Sequence, residues 1–326
     1  MPRISAALLP LLVASLLGLS LAPPAAAQAP ARTVQDSVSL APDGDVSIDN
    51  HEGSITVTTW ARDVVRYEAR IMPTDEDPRA EKTSIRVRAS NSTVRLSTEH
   101  EDGDDESTVF GFTEDGFQWG GINIPAVHYT ITMPETAALR IDDHESTIEV
   151  TGLRAPLRID THEGPITIAD QRGETQIDTH EGDVSIRGHQ GDVKIDSHES
   201  RMDLRRVTGA LTVDTHEGSL TVDELDGGLR LESHEGDASV SFAALTSDVV
   251  VDTHEGDVTL SLPANAGFDL NTDLNDDATF ASDFDLRSLR IADEEEDQVN
   301  YRGDVNGGGP EIYLGSHDGT FSLRRR

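Results

Sequence analysis

One short sequence motif recurs many times along the chain and indicates its fold. Residues 157–168 read LRIDTHEGPITI, and residues 175–186 read TQIDTHEGDVSI eighteen positions later. Self-similarity at a fixed period is the sequence signature of repeat architectures. Each copy has a histidine at its centre, and successive histidines are eighteen residues apart until the last, which follows after twenty: His144, His162, His180, His198, His216, His234 and His254.

Within each unit, apolar and polar residues alternate, which is the pattern of a β-strand with one buried face. Ile166, Ile168 and Ile177 share one face, for example, and Thr167 falls on the other. Four inward residues per unit cannot form a core alone, but stacked units can. The sequence therefore predicts an all-β fold, a single-stranded β-solenoid with coils of about 18 residues and two short strands per coil. Neighbouring coils should lie about 4.8 Å apart. A meander of antiparallel hairpins shares the alternation, but near-identity at the full period favours coils.

The regions on either side of the repeats are less regular. Arg3, an apolar stretch ending at Leu21 and the run Ala25-Ala26-Ala27 have the order of a secretory signal peptide. We expect residues 1–27 to be that signal and 28–137 to form an irregular N-terminal β cap with an acidic loop. Residues 138–262 should form the regular coils, and 263–326 irregular C-terminal coils and a tail. The chain should be exported, to the periplasm, the outer surface or the medium, without a membrane span after cleavage.

Composition excludes several functional classes. There are 26 basic and 61 acidic side chains, a formal charge of −35, and no cysteine. Such a charge repels phosphate backbones and anionic bilayers, so nucleic acid is not an expected partner. Without cysteine there can be no disulfide, thiolate metal site or cysteine nucleophile. Neither a GxSxG elbow nor a GxxxxGK[ST] loop is present. We therefore expect a protein that is not an enzyme.

Four segments outside the central units carry a family resemblance: GDVSIDNHEGSITVTTW (44–60), VHYTITMPETAALRIDDHESTIEVTGL (127–153), VTLSLPANAGFDL (258–270) and EIYLGSHDGTFSL (311–323). With the repeats between them, they resemble the bacterial DUF4097 family of proposed adhesins built from repeated β-strands, over about 36–323. The resemblance implies a solenoid-like fold and an exported or envelope-associated protein. It implies no catalytic residues. The His-Glu pair at each turn departs from the small polar residues that are usual there.

Stacking would turn each position of the repeat into a column. If Ile159 points inward, Asp160 and His162 both point outward, and Gly164 allows a sharp corner. Three polar columns follow from the period. The first contains His162, His180, His198, His216, His234 and His254; the second contains Asp160, Asp178, Asp196, Asp214, Glu232 and Asp252; and the third contains Glu163, Glu181, Glu199, Glu217, Glu235 and Glu255.

These columns are the candidate binding site. Like charges at coil spacing repel by about 0.9 kcal/mol per neighbouring pair even in water, so salt, protonated histidine or bound cations must relieve the carboxylates. Imidazole with carboxylate suits Zn²⁺, Ni²⁺ or Cu²⁺, whereas carboxylates alone would suit Ca²⁺ only weakly. The competing interpretation is that the side chains are a solvated surface copied with each unit, which keeps the rod in solution. The two interpretations stay open at this point.

The sequence thus favours a non-catalytic envelope module that adheres to glycans or surface proteins through many identical corners. A divalent-metal-binding envelope protein is the alternative. A polysaccharide-cleaving enzyme using Asp142-Asp143 or Asp276-Asp277 ranks third, because the acids repeat evenly instead of forming one unique pair. The oligomeric state and the handedness of the solenoid do not follow from the sequence.

Overall fold

The computed structural model describes residues 29–73, 79–100, 111–113, 116–118, 124–286, 289–295 and 298–326. Within these ranges the regular structure is β-strand apart from one short helix, α1 (Arg79–Lys82). The predicted all-β class is confirmed. The proposed signal peptide, 1–27, lies outside the described residues. In the part of the chain that is described, no helix has the length and apolar character needed to cross a membrane.

The N-terminal region contains one regular coil, which corrects the expectation of an irregular cap. Residues 45–60 run parallel to 138–151, with Ile48 beside Ile141 and Val57 beside Val150. This isolated copy of the repeat carries the same inward residues as the central units and stacks on them directly. Its outer neighbour is built from two later segments, 93–100 and 127–134. The strands of this region are β1 (Arg32–Ser39), β2 (Asp45–Asp49), β3 (Glu52–Trp60), β4 (Val64–Ile71), β5 (Thr83–Ala89), β6 (Thr93–His100), β7 (Gly111–Thr113), β8 (Gly116–Gln118) and β9 (Val127–Pro134).

The central strands pair in parallel at the period of the repeat. Ile159 lies beside Ile177 and Ile177 beside Ile195, so equivalent residues of successive units are neighbours. The register is that expected of stacked coils. The two extra residues before His254 fall between the strands that end at Ala244 and begin at Val249, and the register is kept beyond them. The strands are β10 (Ala138–Asp142), β11 (Glu145–Thr151), β12 (Leu157–Thr161), β13 (Ile166–Arg172), β14 (Thr175–Glu181), β15 (Val184–Gln190), β16 (Val193–Thr208), β17 (Leu211–Asp226), β18 (Leu229–Glu235), β19 (Ala238–Ala244), β20 (Val249–Glu255) and β21 (Val258–Leu262).

The core is a narrow column of branched aliphatic side chains. Each residue assigned to the interior from the alternation, from Ile148 to Val251, is at most 5% exposed. A second inward column was not predicted. Positive φ angles at Asp170, Gly188 and Arg206 turn the following residue inward. Those residues are buried, among them His189, whose Nε2 lies 2.9 Å from Thr175 Oγ1.

At the C-terminal end, the order of coils in space differs from their order in the chain. Residues 311–325 lie between the coil at 249–262 and the strand at 268–282, parallel to both. The insertion buries Ile312, Leu314 and Phe321 between two coils, each at most 1% exposed. The EIYLGSHDGTFSL segment is therefore a coil, but it is not the outermost one. The strands are β22 (Phe268–Ser282), β23 (Arg290–Glu295), β24 (Gln298–Val305) and β25 (Glu311–Arg325).

Candidate ligand-binding corner

Three corners of the stack, at Thr161, Thr179 and Thr215, are held by a buried hydroxyl. In the repeat Asp-Thr-His-Glu-Gly, the threonine points inward and donates a hydrogen bond to the carbonyl oxygen of the glutamate two residues on. The Oγ1–O distance is 3.3 Å from Thr161, 3.2 Å from Thr179 and 3.1 Å from Thr215. Such local bonds stabilise a turn in place of a continuing strand. At these corners the threonine therefore has a structural role.

Where a glycine follows, as at Gly182, it is required by space and by conformation. Gly182 has φ of +130°, and a Cβ there would lie 2.3 Å from the carbonyl oxygen of Gly164 in the coil below. Gly236 and Gly256 meet the coil below in the same way. A side chain would both strain the backbone and push neighbouring coils apart. Threonine and glycine therefore account for the geometry of the corner, and the remaining three positions are free to carry other chemistry.

The histidines stack into one continuous ladder on the outer side of the corner. Neighbouring ring centroids are 4.6–5.0 Å apart and neighbouring planes differ by 15° or less. The six predicted positions are brought together, and two further rings extend the ladder at its N-terminal end. We call this set the histidine ladder: His51, His144, His162, His180, His198, His216, His234 and His254.

The ends of the histidine ladder differ from its middle. His317, from the inserted coil, meets His254 edge to face at 65°. At the other end His100 meets His51 at 86° and 6.5 Å. Burial lowers the pKa of His51 below its ordinary value, and the neighbouring His144 lowers it further. The sequence analysis did not predict that His51 and His317 lie next to the ladder. Each lies on an isolated copy of the repeat, and strand pairing with distant segments decides where that copy stacks.

The two acidic columns lie on either side of the histidine ladder. Asp160, Asp178 and Asp196 occupy equivalent positions of successive strands, as do Glu181 and Glu199. Between the aspartates and the histidines runs an open groove of about 640 Å³ with the threonines among its lining residues. A further groove of about 460 Å³ is lined by equivalent residues of the C-terminal coils. The predicted site residues at this corner are all exposed or half-exposed.

Each ring Nδ1 faces the carboxylate of the next residue. In six coils the Nδ1–Oε1 distance is 3.5–3.8 Å, from His162 and Glu163 to His254 and Glu255. This separation is longer than a good hydrogen bond. The side chains of these pairs are 44–56% exposed. Within the described ranges, no group of three or more histidine or acidic side chains is arranged to hold a metal ion. The metal-binding role stays a prediction.

Asp143 stands where the six regular coils that follow have threonine or serine. Its carboxylate accepts hydrogen bonds from Ser146 at 2.7 Å and Thr161 at 3.3 Å. Burial nevertheless raises the pKa of Asp143 to about 6. Asp142 instead bonds Arg140 Nε at 2.8 Å on the outer face. The Asp142-Asp143 pair considered as catalytic is therefore divided, because alternation directs the two carboxylates to opposite sides of the strand.

Comparison with known proteins identifies the family. No curated protein matches the chain. A solved structure, that of a proposed cell adhesion protein from Clostridium sporogenes ATCC 15579, is similar at 9% identity over 90% of this chain and 100% of that one. Its TM-score of 0.26 is too low to support a conclusion. The family model DUF4097, Toastrack, matches residues 68–296, more than half of the chain. The protein therefore belongs to the DUF4097 (Toastrack) family.

Proposed function

We propose that this protein is an exported, non-catalytic β-solenoid that acts as an adhesin-like interaction module of the cell envelope. The observation that carries the proposal is the corner itself. Aspartate, histidine and glutamate recur at one edge of successive coils, about 4.8 Å apart along the histidine ladder. Threonine and glycine already satisfy the fold there, so the three outward side chains are available for a partner.

Binding along such an edge is multivalent. A single corner offers one imidazole and two carboxylates, half-exposed to water, and contacts of this kind contribute little individually. Many equivalent corners on one rigid stack raise the effective concentration of each contact once the first has formed. A repeating polymer, such as an envelope glycan, or a surface protein with repeated donor groups is the partner class that uses all the corners together.

The charge restricts the partner further. With a formal charge of −35, the chain repels polyanions at long range. The partner must therefore be neutral or cationic, and it must offer hydrogen-bond donors to the carboxylates. A catalytic role is disfavoured, because glycoside cleavage needs two carboxylates in different environments. Here Asp160, Asp178 and Asp196 occupy equivalent environments in successive coils.

The test is binding of the purified chain to isolated envelope fragments in the presence of a chelator. The variant D160N/D178N/D196N removes three carboxylates from the groove and should weaken binding by at least tenfold. A control matched in charge, E149Q/D223N/D226N, removes three exposed acids elsewhere on the stack and should bind as the wild type does. The proposal fails if the wild type does not bind, or if the two variants lose affinity equally.

A further inference from the structure

We propose that copies of this chain join end to end, through the two open edges of one β-sheet, into an unbranched stack. One edge is β1, and the other is the second half of β22, residues 277–282. The partner is a second copy of the same chain, and the contact is a pair of parallel strands like those between successive coils. This inference goes beyond the interaction role proposed above and does not depend on it.

One side of the stack is a continuous sheet with an unpaired edge at each end. It begins with β1, β4, β9, β3, β11 and β13, and it ends with β21, β25 and β22. Among the described residues, β1 pairs with β4 alone, and residues 277–282 pair with β25 alone. An unpaired edge presents a row of backbone donors and acceptors, which is a template for another strand.

The outer edge of β1 has backbone groups that point away from the molecule. Just beyond the strand, the Leu40 N–H donates at 3.1 Å to the carbonyl oxygen that precedes β4. Because the direction of hydrogen bonding alternates along a strand, the N–H groups of Thr33 and Gln35 point outward. Val34, between them, packs on the core but is only half-buried, whereas its neighbour Ala69 on β4 is fully buried.

The outer edge of residues 277–282 is open in the same way. Just beyond it, the Asp283 N–H donates to the Leu323 carbonyl at 2.9 Å, so the N–H and C=O groups of Phe280 point away from β25. The Phe280 side chain is half-buried, whereas Phe321 beside it is 1% exposed. The last five residues of this edge, ATFAS, include neither a charged residue nor a proline, two of the features with which natural edge strands avoid pairing.

The C-terminal hairpin covers only the other half of this coil. Its strand β24 pairs with residues 268–271 of β22. Tyr301 of the hairpin does reach Phe280, with ring centroids 5.5 Å apart. That contact joins two side chains and satisfies no backbone group of Phe280, so the edge keeps its donors and acceptors.

The two edges are complementary in direction and in hydrogen-bonding phase. β1 is antiparallel to β4, which is antiparallel to β9, so β1 runs in the direction of the coils, as β22 does. Placing Phe280 of one copy beside Val34 of the next puts both side chains on the core face. In that register the Phe280 N–H donates to the Thr33 carbonyl and the Gln35 N–H donates to the Phe280 carbonyl, which is the pattern of parallel strands. The apolar core then continues from one copy into the next.

The charges of the two ends favour this pairing over a pairing of two like ends. Residues 268–305 contain twelve acidic and three basic side chains, so two C-terminal ends repel each other. Residues 62–95, which include β4 and β5 at the other end, contain six acidic and eight basic side chains. A contact between two different edges leaves one edge of each copy free, so it does not close and the stack continues to grow.

The experiment is sedimentation velocity of the purified full chain at rising concentration, in 0.5 M NaCl to screen the overall charge. We expect the mean sedimentation coefficient to rise past the value of a dimer. The variants Q35P and A278P each remove one outward N–H, at positions where a strand tolerates proline. Each should stay monomeric at ten times the concentration at which the wild type is half assembled. The matched controls Q35A and A278S keep the N–H and should assemble as the wild type does.

A mixture of the two proline variants tests whether the contact joins different edges. Q35P keeps the β22 edge and A278P keeps the β1 edge, so equal amounts should form a one-to-one dimer and nothing larger. Hydrogen exchange of the wild type tests the same contact without a substitution, because residues 33–37 and 278–282 should gain protection on assembly. The proposal is overturned by a wild type that stays monomeric, by dimers of Q35P alone, by a mixture that stays monomeric, or by assembly that protects neither edge.

Discussion

The substitution Gly182→Ala tests whether close stacking of the corners holds the coils in register. Gly182 has φ of +130°, and its added Cβ would lie 2.3 Å from the Gly164 carbonyl oxygen and 2.8 Å from its carbon. Ordinary contact begins about 1 Å farther out. The alanine must therefore either leave its conformation or lift one coil away from the next. Either movement disturbs the hydrogen bonds between β14 and its neighbours on both sides.

The expected cost has two parts. A non-glycine residue held in a disfavoured backbone conformation costs about 1–3 kcal/mol, and inserting a methyl group into a closely packed site costs about 1–3 kcal/mol more. We therefore expect Gly182→Ala to reduce the free energy of unfolding by about 2–6 kcal/mol. For a chain of this size that corresponds to a fall in Tm of roughly 3–10 °C.

The assay is thermal unfolding followed by circular dichroism, with hydrogen exchange of the amides in the neighbouring coils. Ser200 supplies the matched control. It occupies the same column one coil away, lies outside the positive-φ set and is already a non-glycine residue. Ser200→Ala should change Tm by less than 2 °C, since most substitutions without a named strain stay within about 0.5–1 kcal/mol. Equal losses in the two variants would refute the argument from close stacking.

Two further predictions concern charge. Raising NaCl from low to molar concentration should raise Tm, because repulsion between carboxylates of neighbouring coils falls from about 0.9 to about 0.2 kcal/mol per pair; a flat Tm would contradict this. The raised pKa of Asp143, about 6 against an ordinary 3.8, means that the folded state binds the proton more tightly than the unfolded chain. Stability should therefore fall by up to about 3 kcal/mol as pH rises from about 4 to 6. Asp143→Asn should remove this fall, and an unchanged pH profile of chemical unfolding would disprove the assignment.

The central coils could be predicted from sequence because their period sets their register. Once the repeat places Ile159 over Ile177, alternation decides which side chains are buried and which form columns. The core and the adjacency of six histidines follow from these two rules alone. The inward position of Asp143 was also visible in principle, since IDDHES places aspartate where IDTHEG has threonine.

The arrangement of the ends could not be predicted in this way. Residues 45–60 and 311–325 are isolated copies of the repeat, and their sequence shows that each can stack but not on which coil. The position of each copy in the stack is decided by strand pairing between segments that are distant in the sequence. The inward turn of His189 depends on the positive φ of Gly188, which the alternating pattern does not reveal. Neither the pairing of distant strands nor the backbone conformation at Gly188 is set by the period of the repeat.

The central claim is that equivalent residues of successive coils lie in one straight column. The chain contains no cysteine, so pairs of spin labels can be placed at substituted ladder positions, such as H162C with H234C or with H254C, and their separations measured by pulsed electron paramagnetic resonance. Rungs of 4.7–4.8 Å place His234 about 19 Å and His254 about 24 Å from His162. We predict separations that grow by one rung per coil along this series. Distances that do not increase with the number of intervening coils would contradict the stacked arrangement.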